Sequence, residues 1–118
     1  MNVPASNKFL YFMEQTDGAF DAAQDAVCYP LDSFQGFGAD GTTTQLAMHF
    51  SGLLGQDEDA YDVVTLTITA NKQKEVIEAI VNEIAFGNSA TIVVSDDSNS
   101  VFVDSRITGC AISVTAVD

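Results

Sequence analysis

Apolar and polar residues alternate along most of this chain with the two-residue period of strands, and only once with the 3.6-residue period of a helix. Residues 45–50 (QLAMHF) place Leu46, Met48 and Phe50 on one face and Gln45, Ala47 and His49 on the other. Residues 62–70 (DVVTLTITA) predict an inner face of Val64, Leu66, Ile68 and Ala70. Their other face, Val63, Thr65, Thr67 and Thr69, suits water or an interface. Residues 110–117 alternate again, with Cys110, Ile112, Val114 and Ala116 together. Residues 8–13 (KFLYFM) are apolar on both faces, as a central or doubly covered strand would be. Residues 26–31 read as a short strand that Pro30 confines to an edge or an end. Residues 91–95 and 101–104 flank a polar turn, DDSNS, and predict a hairpin.

The helical period appears at 72–86. At 100° per residue, Val76, Ile77, Ile80, Val81 and Ile84 fall within an arc of about 140°. Asn71 is the expected N-cap and Gly87 the expected C′ stop. Residues 32–42 and 51–61, rich in Gly, Asp and small residues, are expected to be loops, with Phe34 and Phe37 partly buried, and 17–25 a loop or one short helical turn. The predicted fold is α+β in a single domain, 1–118. It is a mostly antiparallel β-sheet or small sandwich of about six or seven strands, with the helix on one face. The strand before the helix and the strand after it would form a right-handed crossover if they were parallel neighbours.

Composition narrows this picture. The chain has 118 residues, 47% hydrophobic, with eight Gly and two Pro, which excludes collagen-like and disordered classes. No apolar run approaches the ~18 residues of a membrane span. The first residues lack the basic segment of a secretory signal, so a soluble protein, intracellular or assembled from the cytoplasm, is expected. Cys28 and Cys110 match no zinc or redox spacing and read as two small apolar residues; a disulfide requires adjacent strands.

Charge changes the picture more. Seventeen acids stand against four bases, a formal net charge of -13. Only Lys8, Lys72, Lys74 and Arg106 are available to neutralise phosphates, which disfavours direct nucleic-acid binding and anionic membranes. Lys72 and Lys74 sit in the first helical turn, where the dipole disfavours cations. An acidic partner is expected for them, from the 57–62 loop of the same chain or of a neighbouring copy, and they are the candidate interface residues.

The candidate chemistry is sparse. His49 is the only histidine, with no nucleophile elbow near it, and Cys–His catalysis has no supporting pattern. Asp57, Glu58, Asp59 and Asp62 form the densest acid cluster and are the candidate ligands for Ca²⁺ or Mg²⁺, although the EF-hand pattern is absent. Gly36, Gly38 and Gly41 lack the Lys-Ser/Thr ending of a phosphate loop. No catalytic residue and no cofactor are expected.

Four segments carry a resemblance: 29–37 (YPLDSFQGF), 46–50 (LAMHF), 62–84 (DVVTLTITANKQKEVIEAIVNEI) and 107–114 (ITGCAISV). They resemble small acidic proteins of tailed phages that infect marine cyanobacteria, often labelled virion structural or uncharacterised proteins. The resemblance implies a structural, oligomeric role without enzyme activity and carries over no functional residue. The expected function is therefore a non-enzymatic phage structural or assembly protein. Its expected partners are other copies of itself and virion proteins. The alternative is a divalent-cation module centred on 57–62.

Overall fold

The structure, a computed structural model, describes residues 8–14, 26–39, 41–51, 61–87, 89–97 and 99–113. Eight strands among these residues form two four-stranded sheets. The first contains β1 (Phe9–Met13), β2 (Ala26–Pro30), β6 (Thr91–Asp96) and β7 (Val101–Phe102), in the order β2-β1-β6-β7. The second contains β3 (Phe34–Ala39), β4 (Gln45–Ser51), β5 (Tyr61–Ile68) and β8 (Ile107–Ser113), in the order β3-β4-β5-β8. One helix, α1 (Gln73–Phe86), joins β5 to β6. Every pairing is antiparallel except that of β1 with β6. The protein is α+β, mostly sheet, with its one described helix packed on the sheets.

The inner faces of the sheets make one core. Leu10, Phe12, Val27 and Tyr29 from the first sheet meet Leu46, Met48, Phe50, Val64 and Leu66 from the second. The alternation on β4 and β5 is as the sequence predicts, with Leu46, Met48, Phe50, Val64, Leu66 and Ile68 all buried. Ala70 departs from it: β5 ends at Ile68, and Ala70 lies exposed in the following turn. Pro30 ends an edge strand, where its missing N–H interrupts no ladder. β6 and β7 form the expected hairpin. β8 lies across the C-terminal ends of β1 and β6. Glu14, just beyond β1, accepts from the Ile112 N–H, while Asp97, just beyond β6, packs over Gly109.

Residues 34–39, expected to be loop, are a strand. The chain leaves β2 through a 3-10 turn at Leu31–Ser33 and crosses directly into the second sheet. Glycines masked the alternation here. Gly36 sits at a register shift with φ 141°, a conformation closed to L side chains, and the resulting bulge lets both Phe34 and Phe37 turn inward. β5 and β6 belong to different sheets, so the helix links the sheets and no crossover within one sheet forms.

The helix is narrower in its buried arc than its sequence suggests. Val76 and Ile80 are fully buried, Ile77 and Ile84 only partly, and Val81 is 46% exposed. On a 100° wheel Val81 lies about 120° from the midpoint of Val76 and Ile80, outside the contact stripe. Burial of Val76 and Ile80 stabilises the fold by about 1.5–3 kcal/mol each.

Both helix ends also differ from expectation. Asn71 is not the cap: it takes φ 64°, which asparagine tolerates, to turn the chain out of β5, and Lys72 occupies the N-cap without a side-chain capping bond. Gln73 fastens this end to the second sheet by donating to the Thr43 carbonyl at 3.0 Å. Gly87 keeps an extended φ of -72°, so the left-handed stop is absent. The last carbonyls are served by Lys8, whose ammonium donates to Ile84 O and, at 3.0 Å, to Gly87 O. Lys8 is 1% exposed, and its positive charge lies at the negative end of the helix dipole. Lys8→Met keeps the volume and strands these carbonyls. It should cost about 2 kcal/mol, because hydrogen bonds to charged groups contribute about 1.5–3 kcal/mol. Urea denaturation measures this loss.

Candidate functional site

Two features stand out: a polar contact buried between the sheets, and the outward faces of the sheets themselves. The buried contact starts from strand parity. Tyr29 shares the inner face of β2 with Val27, and Asp62 shares that of β5 with Val64 and Leu66. Both are closed to solvent, at 1% and 0% exposure. The Tyr29 hydroxyl donates to Asp62 Oδ2 at 2.6 Å. Its ring stacks on Phe50, with centroids 4.2 Å apart and planes 9° from parallel. Phe12 meets both rings edge-on. Burial, then the bond to Asp62, then its negative charge hold the Tyr29 hydroxyl well above the usual range for a phenol. The arrangement ties β2 to β5 across the core and offers no open approach to a substrate.

The remaining buried polar side chains are also built into the fold. Asp96 closes the β6–β7 turn, its two carboxylate oxygens accepting from the Asn99 backbone at 3.0 Å and side chain at 2.9 Å. Cys110 Sγ donates to Met13 O at 3.4 Å, and burial pushes its thiol up to about 11. Ser95 Oγ is buried with no partner at hydrogen-bond geometry. Cys28 faces outward from β2 while Cys110 faces inward from β8, so no disulfide joins them.

Predicted site residues are scattered. Asp62 is inside the core, while Asp57, Glu58 and Asp59 lie outside the described residues. No group of three or more His, Cys, Asp or Glu side chains among the described residues is placed to hold a metal ion. Lys72 finds its acid in Glu75, one turn along the same helix, at 3.5 Å, and Lys74 is exposed. The Glu75 carboxyl is held below its usual range by its own backbone amide first and by Lys72 after that. Arg106 pairs with Asp104 at 3.1 Å. His49 rests against Gly38, on the outward face of the second sheet. No described helix is long and apolar enough to cross a membrane.

Comparison with protein-family models, curated proteins and solved structures finds no match.

Sequence reasoning expected the outward face of the second sheet to suit water or an interface and missed that of the first. On the second sheet, Gly36, Gly38, Ala47, His49, Val63, Thr65, Thr67, Ala111 and Ser113 lie side by side by register. None is an acid, a lysine or an arginine. On the first sheet, Phe9 and Tyr11 of β1 are flanked by Pro30 and Cys28 of β2 and by Thr91 and Val93 of β6, while Met13, of the same parity, is buried. Val101 of β7 continues this face, 49% exposed, and Phe9 is 40% exposed. The one acid on it, Asp96, is 9% exposed and committed to its turn. The signal was present in residues 8–13, where apolar side chains occupy both parities: the inner set is covered, and the outer set faces out of the sandwich.

Proposed function

We propose that this chain is a non-enzymatic structural or assembly protein that self-associates into a homo-oligomer. The observation that supports the reading is the segregation of charge. In a chain of net charge -13, the described residues place no ionised side chain on either broad sheet face, apart from the turn-bound Asp96. Like-charged copies approach one another most readily through such faces, since desolvating an unpaired charge at a contact is costly. The resemblance to cyanophage proteins supplies the setting, a phage particle or its assembly in the host cytoplasm, and other virion proteins as further partners.

The test is sedimentation of the isolated chain across concentration, together with mass spectrometry of purified phage particles. The reading expects a mass that rises with concentration and peptides of this chain in the particle. A chain that stays monomeric to about 1 mM, where even contacts of about -4 kcal/mol are half formed, overturns it.

A further inference from the structure

We draw no further inference here: the strongest candidate, the outward face of the β2-β1-β6-β7 sheet around Phe9 and Tyr11, is an unpartnered apolar face, and nothing in the structure shows what covers it.

Discussion

Ile80→Asp should leave the chain unfolded or without a cooperative transition at 25 °C, whereas Val81→Asp, one residue away, should melt within about 0.5 kcal/mol of wild type. Ile80 is fully buried and Val81 is 46% exposed. Truncating a buried isoleucine costs about 2–5 kcal/mol through lost transfer energy and the cavity left behind. An aspartate adds the desolvation of a carboxylate among Val76, Ile92 and their neighbours in the core. The sum approaches the whole stability of a domain this size, about 5–15 kcal/mol. Ile80→Val, which removes one methylene, should cost only about 0.5–1.5 kcal/mol. Urea unfolding followed by circular dichroism measures all three. Equal losses at positions 80 and 81 would show that the helix is rotated from the placement described.

That pair of positions also shows where sequence reasoning stopped. Periodicity located the helix within a residue of its ends and gave its buried side, because five apolar residues in one arc have few alternatives. It did not give the width of the contact, which depends on how closely the two sheets approach the helix. Strand alternation worked wherever side chains marked both parities, as on β4 and β5. It failed at 34–39, where Gly36 and Gly38 left one parity blank and the bulge put Phe34 and Phe37 on one side. Parity, taken further, places Lys8 with Leu10 and Asp62 with Val64, which marks both as inward-facing charges. Reading Asp62 as a member of an acid cluster, by proximity in sequence, hid that. The outward face of the first sheet was legible only as an excess of apolar residues on β1, since nothing in one sequence tells which of two apolar faces the fold covers.

Tyr29→Phe should destabilise the fold by about 1.5–3 kcal/mol at neutral pH, the range for a buried hydrogen bond to a charged group. The ring stays, so its stacking on Phe50 is kept and the loss isolates the hydroxyl that meets Asp62. The pH dependence carries a second signature. A phenol titrates at about 10 in the unfolded chain, and Tyr29 titrates above that when folded. Above pH 10 the unfolded state releases a proton that the native state still holds, so unfolding binds fewer protons and stability falls as pH rises. The contribution is complete below about pH 10 and is lost progressively above it. Tyr11, raised by burial and then by Asp96 and Cys28, acts in the same window, and the Cys28 and Cys110 thiols, both raised by burial, begin at lower pH. The expected profile for wild type is therefore a decline that starts near the thiol range and steepens beyond pH 10. In Tyr29→Phe the early part should be unchanged and the later part shallower. Equilibrium unfolding at pH 7, 9, 10 and 11 on both proteins gives the comparison. Identical slopes above pH 10 would mean that the Tyr29 proton is not held by the fold, and the contact across the core would then lose its place in the account of stability.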